Sequence, residues 1–110
     1  MKRFPKKSDL ALARRCAEVI RQIYPDAEVI LYGSRARGNP QPDSDLDLLV
    51  LTQAKLTWRE EARIIEILYP LELETGRVIS ALVEHKATWQ TPMYQVMPLA
   101  KGVGQDGVAL

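Results

Sequence analysis

Two pieces of one short window decide the fold: GSRARG at residues 33–38 and SDLDLLVL at residues 44–51. The second piece contains a nearly continuous apolar run, which predicts a buried strand over Leu46–Leu51. Directly before the first piece, the short β-branched stretch Glu28–Tyr32 predicts another strand. The loop between them, residues 34–44, is polar and rich in glycine and proline, which predicts irregular structure. The two strands are close enough along the chain to pair.

Two carboxylates open the second strand. Because side chains alternate along a strand, Asp45 and Asp47 are expected on one face, with Cα atoms about 6.6 Å apart. Carboxylate oxygens suit Mg²⁺, which proteins usually hold through one or two carboxylates together with substrate phosphates. Two such ions, about 3.5 to 4 Å apart, can activate an attacking hydroxyl and stabilise a leaving pyrophosphate. Asp45 and Asp47 are therefore candidate metal ligands and catalytic residues.

The first piece of the window predicts a phosphate-binding loop. Gly33 has no Cβ, so the backbone can approach a phosphate closely, and Ser34 adds a hydroxyl and an N–H group. Arg35 and Arg37 are candidates for neutralising phosphate oxygens, and Ser44 offers another donor beside the carboxylates. Glycine-serine turns and Asp-x-Asp strand ends are each common, but their conjunction in one window indicates a nucleotide site.

Helical periodicity surrounds this window. Apolar residues at three- and four-residue spacing predict an amphipathic helix over Leu10–Ile23, with Ser8 as its N-cap. A second predicted helix begins at Trp58 after an N-cap at Thr57. Pro70 is expected to kink it or end it near Tyr69, although residues 71–74 could continue it in a shifted direction.

Towards the C-terminus the pattern predicts one strand, one helix and a tail. The strand covers Val78–Val83, the helix covers residues 88–100, and the tail over residues 102–107 is rich in turn-forming residues. Strands that alternate with helices predict an α/β fold in which a sheet is flanked by helices.

The composition is that of one globular domain over residues 1–110, with 46% hydrophobic and 26% charged residues. The 15 basic and 14 acidic residues nearly balance, which predicts no strong attraction to nucleic acid or to a membrane. The basic N-terminal residues, which include Lys2 and Arg3, are interpreted as solvated. A lone Cys16, no zinc-ligand spacing and no apolar segment of signal or spanning length together predict a cytoplasmic protein.

The window at residues 33–48 resembles the signature of the DNA polymerase beta-like nucleotidyltransferase superfamily, and within it the minimal nucleotidyltransferase, or MNT, branch. The spacing from Gly-Ser to Asp-x-Asp is that of the family, and the order of elements extends the resemblance over nearly the whole chain. The resemblance implies a mixed sheet flanked by helices, a donor that is ATP or another nucleoside triphosphate, and magnesium held by Asp45 and Asp47. It also implies triphosphate contacts from Gly33 and Ser34.

The resemblance further implies a protein partner. Small stand-alone members are often paired with a helical HEPN-family protein in a toxin-antitoxin module, where the nucleotidyltransferase is the antitoxin and adenylylates the toxin. The expected function is therefore transfer of AMP from ATP to a hydroxyl of a partner protein. Relatives that nucleotidylate small antibiotics carry an additional helical domain, so this activity is the more remote alternative. The acceptor, the choice of triphosphate and the oligomeric state, a homo-oligomer included, stay open.

One position departs from the family pattern. The superfamily commonly places a third carboxylate on the strand beside the Asp-x-Asp strand, and Ser80 occupies the expected place here. A serine is a poor magnesium ligand and cannot act as a carboxylate base. A nucleotide-binding or purely steric antitoxin is therefore the main alternative to an active enzyme. Glu84 replaces the missing carboxylate only if the strand register differs.

Overall fold

The computed structural model describes residues 4–39 and 41–110 of the chain, so Lys2, Arg3 and Pro40 lie outside the described residues. The described part forms six helices and four strands. In chain order they are α1 (Lys7–Ile23), β1 (Glu28–Tyr32), α2 (Ser34–Arg37), β2 (Leu46–Thr52), α3 (Trp58–Thr75), β3 (Ile79–His85), α4 (Lys86–Trp89), α5 (Pro92–Gln95), α6 (Pro98–Asp106) and β4 (Val108–Ala109).

The strands form one mixed sheet in the order β3-β2-β1-β4. As predicted, β1 and β2 pair with each other, and they do so in antiparallel register. On its other side β2 pairs with β3 in parallel, while the short β4 adds an antiparallel strand beside β1. The prediction of an α/β sheet flanked by helices is confirmed.

Helices cover both faces of the sheet. On one face, α1 and α3 pack with alternate strand residues such as Leu48 and Val50 into the larger apolar cluster. On the other face, Leu49 and Leu51 of β2 pack with Trp89 and residues of α6 into a smaller cluster. Both faces of β2 are thus buried over most of its length, as expected for a strand with a continuous apolar run.

The first helix begins earlier than predicted. It starts at Lys7, and Lys6 is its N-cap without a side-chain capping bond, so the prediction of Ser8 as N-cap is wrong. The reason is tertiary: Asp9 is buried in the first turn, where it accepts hydrogen bonds from two arginines of distant segments. The helix ends at Ile23, before Pro25, as the sequence predicts.

The third helix has the predicted start and continues beyond the predicted stop. Thr57 and Glu60 form a capping box, in which each side chain bonds the backbone N–H of the other residue. Pro70 lies within the helix, which extends to Thr75, so Pro70 does not end the helix near Tyr69, and the alternative that residues 71–74 continue it is the one the structure has. Pro70 and Glu66, four residues before it, are both exposed, so water can reach the carbonyl that loses its partner.

Four other regions differ from the sequence prediction. The loop after β1 contains the short helix α2, and β3 runs to His85 rather than ending at Val83. The single helix predicted over residues 88–100 is divided, because Pro92 and Pro98 each start a new helix. The tail predicted as turns is helical to Asp106, since Ala100 and Val103 of α6 pack into the smaller cluster. Among the described residues, no helix has both the length and the apolar character to cross a membrane.

Candidate active site

Asp47 lies in the middle of a row of three side chains that crosses the sheet. The strand register sets it opposite Tyr32 of β1 on one side and Ser80 of β3 on the other. The neighbouring Leu46 is fully buried in the larger cluster, so alternation turns Asp47 to the opposite face. Asp45 lies just before β2, and its negative charge acts on the Asp47 carboxyl. The structure therefore places both predicted carboxylates at the same end of β2.

Gly33 is in close contact with the Asp47 carboxylate. Its φ of +78° lies in the left-handed region that glycine adopts without strain. A Cβ at this position would lie 2.5 Å from Asp47 Oδ2, closer than real side-chain atoms approach. Gly33 is also the N-cap of α2, so the chain turns directly from β1 into that helix above the carboxylate. Glycine is required here both for the turn and for the space.

The electrostatic environment of Asp47 is unfavourable for a lone carboxylate. Burial raises the pKa of Asp47, the negative charge of Asp45 raises it further, and the guanidinium of Arg37 partly offsets both effects. Burial and the charge of Asp47 also raise the pKa of Tyr32. A cation between the two carboxylates would remove their mutual repulsion.

The donor set fits a magnesium ion that shares its shell with a ligand. Asp45 and Asp47 supply carboxylate oxygens, which Mg²⁺ prefers, and the approach of Gly33 leaves space that a Cβ would fill. Over residues 4–39 and 41–110 there is no group of three or more His, Cys, Asp or Glu side chains suited to hold a metal. The protein thus offers two carboxylates, and the remaining positions would fall to phosphate oxygens and water.

Arg35 does not have the role that the sequence suggests. Its side chain is buried, its Nη1 lies 3.2 and 3.3 Å from the two carboxylate oxygens of Asp9, and its Nε donates to the Ser44 carbonyl at 2.9 Å. These bonds engage the guanidinium with the protein itself. We therefore correct the prediction of a triphosphate contact: Arg35 holds the loop in place, and it is not carried into the proposed site.

The other predicted loop residues have either a structural role or a possible role in phosphate binding. The Ser44 hydroxyl accepts a hydrogen bond from the backbone N–H of Gln41, so Ser44 shapes the loop before the carboxylates. Arg37 is half exposed, and its Nη1 lies 3.7 Å from Oδ2 of Asp106 in α6. Its positive charge also lowers the pKa of the Asp47 carboxyl. Ser34 begins α2 directly after Gly33. Arg37 and Ser34 remain candidates for contact with a phosphate.

The strand register answers the question about the third carboxylate. Asp47 pairs with Ser80, whereas Glu84 pairs with Leu51. Glu84 therefore lies four residues, or about 13 Å, further along β3. Within one copy of the chain, the serine occupies the place beside Asp47, and the hypothesis that Glu84 fills it through a shifted register is wrong.

The sequence analysis missed Asp9 and Arg77, whose contacts connect the segments around the site. Asp9 is 1% exposed and accepts a second charged hydrogen bond, from Arg77 Nη2 at 2.6 Å. This buried carboxylate thereby joins the start of α1, the loop residue Arg35 and the entry to β3. An acidic residue in a first helical turn is ordinary, so the sequence carried no signal of this role.

The comparisons with known proteins agree with this geometry. The chain matches the family described as nucleotidyltransferase domain over residues 13–96. A Methanocaldococcus jannaschii protein, provisionally named a protein adenylyltransferase, is 38% identical over 58 residues. That match covers 53% of this chain and 59% of the relative, so the chain spans less than two thirds of its length.

Solved structures share the fold. A crystal structure of a variant of the MntA-HpeT toxin-antitoxin complex superposes with a TM-score of 0.62 at 15% identity, covering 88% of this chain and 70% of the other. A structure provisionally named a minimal nucleotidyltransferase superposes with a TM-score of 0.55 at 26% identity, covering 93% of this chain and 95% of the other.

Proposed function

The chain belongs to the nucleotidyltransferase domain family, and from this premise we propose that it transfers AMP from ATP to a hydroxyl group of a partner protein. Asp45 and Asp47 hold magnesium, while Gly33, Ser34 and Arg37 hold the triphosphate. A cytoplasmic location is part of the proposal, and the single buried Cys16 supports it.

One observation carries the proposal: the contact between Gly33 and the Asp47 carboxylate. Gly33 lacks a Cβ and so leaves room for a ligand beside Asp47, whereas Asp45 and Asp47 repel each other unless a cation lies between them. A triphosphate with magnesium satisfies both parts, since the loop backbone can meet phosphate oxygens while the carboxylates meet the cation.

Each of these residues has its own role in the transfer. Asp45 and Asp47 fix the metal, which supplies charge stabilisation to the reacting phosphate when it is bound. Gly33 and Ser34 orient the triphosphate at the end of β1, and Arg37 neutralises phosphate charge from α2. The acceptor oxygen attacks the α-phosphorus, the bond to the outer two phosphates breaks, and pyrophosphate leaves.

Two relatives support a protein acceptor. The Methanocaldococcus jannaschii relative is provisionally named a protein adenylyltransferase, and one structural neighbour comes from a toxin-antitoxin complex. We propose that the acceptor is a hydroxyl of a HEPN-family toxin and that this chain acts as its antitoxin.

The experiment is a transfer assay with labelled ATP, Mg²⁺ and the protein encoded next to this chain's gene. We expect label on the neighbouring protein with the wild type, and no label with Asp45→Asn or Asp47→Asn. Gln53, exposed just after β2, offers a control position for Gln53→Ala, which should leave the transfer unchanged. Label transfer that persists without both carboxylates would sink the enzymatic proposal.

A second candidate is a nucleotide-binding or steric antitoxin, and the position of Ser80 beside Asp47 favours it. The two candidates predict opposite results for Asp47→Asn in a growth-rescue assay against the toxin. An enzyme loses the ability to neutralise its partner, whereas a steric binder retains it. Nucleotidylation of a small antibiotic is the third alternative, and no observation favours it.

A further inference from the structure

The third-carboxylate position stands at the open edge of the sheet. β3 is the edge strand, and no strand of the described chain pairs with its outer side. The Leu46 N–H donates to the Val78 carbonyl, so Val78 and every second residue after it turn their backbone groups towards β2. Ala81 and Val83 therefore turn their N–H and carbonyl groups outwards. An uncovered edge of this kind is a template for another strand.

An apolar stripe on α3 runs beside this edge. It consists of Trp58, Ile65, Tyr69 and Leu73, which are between 53% and 73% exposed. We call these four residues the α3 stripe. Side chains three or four residues apart are neighbours on a helix, so Trp58 and Ile65 flank Glu61, and Tyr69 lies beside Glu72.

One hydrogen bond shows that this side of α3 faces the edge strand. The Ile79 N–H donates to the Glu72 carboxylate at 3.1 Å, which also fits an outward-turned backbone group. Burial raises the pKa of Glu84, and the charge of Glu61 raises it further. The opposite side of the helix faces α1, to which Glu74 forms an ion pair.

This hydrogen bond also fixes the relative height of helix and strand, because α3 connects two parallel strands and therefore runs antiparallel to β3. The rise from Ile79 to Leu82 is about 10 Å, as is the rise from Glu72 back to Ile65. The middle of β3, at Leu82, therefore lies at the height of Ile65, which is also the middle of the α3 stripe. The edge strand and the α3 stripe therefore have the same midpoint along the strand direction, as a two-fold axis through that point requires.

Antiparallel pairing of β3 with β3 of a second copy, in the register centred on Leu82, uses the residues from Ser80 to Glu84 and leaves the Ile79 N–H bonded to Glu72. Ala81 then pairs with the partner's Val83 through the outward backbone groups. Ser80 stands opposite the partner's Glu84, on the face that carries Asp47, with Cβ atoms about 4.5 to 5.5 Å apart. The two α3 stripes meet across the axis, beside the paired strands.

We propose that the chain forms a two-fold dimer through β3 and the α3 stripe, in which the partner's Glu84 supplies the carboxylate that Ser80 lacks. The proposal rests on the proposed transferase function. It explains why an unpaired edge strand, an exposed apolar stripe and an incomplete site occur together.

The partner's Glu84 acts on the acceptor side of the reaction. It accepts the proton of the acceptor hydroxyl while that oxygen bonds to the α-phosphorus and pyrophosphate leaves. A positioned general base of this kind contributes typically 10²- to 10⁴-fold to a rate. We expect Glu84→Gln to lower kcat about a hundredfold or more, with little change in ATP binding.

Cysteine cross-linking tests the register without using activity. A Ser80→Cys copy mixed with a Glu84→Cys copy should give a disulfide-linked pair under mild oxidation, because a directly opposite pair has suitable Cβ spacing. Neither variant alone should cross-link, since copies of one position are four residues apart along the paired strands. The native Cys16 is buried and should not interfere. Absence of the mixed cross-link would overturn the register.

Mixed dimers test the shared site. Asp47→Asn and Glu84→Gln proteins should each be nearly inactive alone. After mixing and re-equilibration, one site of each mixed dimer combines an intact Asp47 with the partner's intact Glu84, so about one quarter of wild-type activity should return. Full activity of Glu84→Gln, or no recovery on mixing while the wild type is active, would overturn the shared carboxylate.

Sedimentation measures the dimer directly and separates the two proposals. Ile65→Glu places two like charges at the axis and should give a monomer, whereas Met93→Glu, at another exposed apolar residue, should leave the dimer intact. A monomeric wild type, or an Ile65→Glu protein that stays dimeric, would contradict the dimer. If the wild type dimerised and the cysteine variants cross-linked as described, but the wild type transferred no AMP, the proposed function alone would be contradicted.

Discussion

The two sides of the site are built on different parts of the sheet. The donor side, with Gly33, Asp45 and Asp47, lies on β1 and β2, which have neighbouring strands on both sides. The acceptor side, at Ser80, lies on the edge strand. Inner strands hold side chains in fixed positions, as the close approach of Gly33 to Asp47 requires. The edge strand leaves a place that a second chain can complete.

The largest effect should come from Gly33→Ala, which breaks the donor side. The added Cβ would force Asp47 to move, and a misplacement of about 1 Å can cost a hundredfold in rate. The measurement is kcat for AMP transfer, together with ATP affinity. Gly76→Ala is the matched control, because Gly76 also has positive φ but would meet nothing within 4 Å. The control should lose about 1–2 kcal/mol of stability and no specific activity. Equal rates for the two variants would contradict the close-contact account.

A gain-of-function substitution should show what the acceptor side lacks. Ser80→Asp puts a carboxylate beside Asp47 within one copy, so in a Glu84→Gln background it should raise kcat about a hundredfold. Ser80→Asn has nearly the same shape without the charge and is the control. A single-turnover measurement with saturating ATP isolates the chemical step. If Ser80→Asn raised kcat as much as Ser80→Asp, a missing carboxylate would not explain the low activity of the Glu84→Gln background.

Low pH should weaken magnesium binding at the donor side. Metal ligands bind when deprotonated, and burial and the Asp45 charge raise the pKa of Asp47. Magnesium affinity should therefore begin to fall at a higher pH than for an ordinary aspartate, and then by about tenfold per pH unit. Magnesium titrations of the ATP complex at several pH values measure this. A loss that starts only in the range of an unperturbed aspartate would contradict the raised pKa.

The smallest effect should come from Arg37→Gln. Loss of this cation removes the charge that lowers the pKa of Asp47, so the pH profile should shift towards higher pH. Arg37 is half exposed, and such pairs are worth about 0.2–1 kcal/mol, so affinity should change at most about fivefold. Arg15→Gln, which breaks an exposed ion pair on α1, is the control. A hundredfold loss would mean that Arg37 binds the triphosphate more strongly than an exposed charge pair can, and would contradict this estimate.

The parts of the fold that follow from local pattern were predicted from the sequence. The strand at Glu28–Tyr32 has its predicted bounds, and Thr57 caps α3 as expected, because both depend on neighbouring residues. The Asp45 and Asp47 pair was predictable for the same reason, since strand alternation is local. The position of Ser80 beside Asp47 came from the family resemblance, and the strand register agrees with it.

The parts that depend on distant contacts could not be predicted. Asp9 meets Arg35 and Arg77 over separations of 26 and 68 residues, so it changed both the start of α1 and the role of Arg35. The helical tail depends on packing of Val103 against the smaller cluster. No local pattern encodes any of these contacts, because each exists only once the sheet has formed.

The most direct test of the central claim is calorimetric binding of a non-hydrolysable ATP analogue with and without Mg²⁺. We expect magnesium to strengthen binding to the wild type, and Asp47→Asn to abolish that gain while the protein stays folded. Binding that is the same with and without magnesium, or unchanged by Asp47→Asn, would contradict the assignment of Asp45 and Asp47 to the donor site.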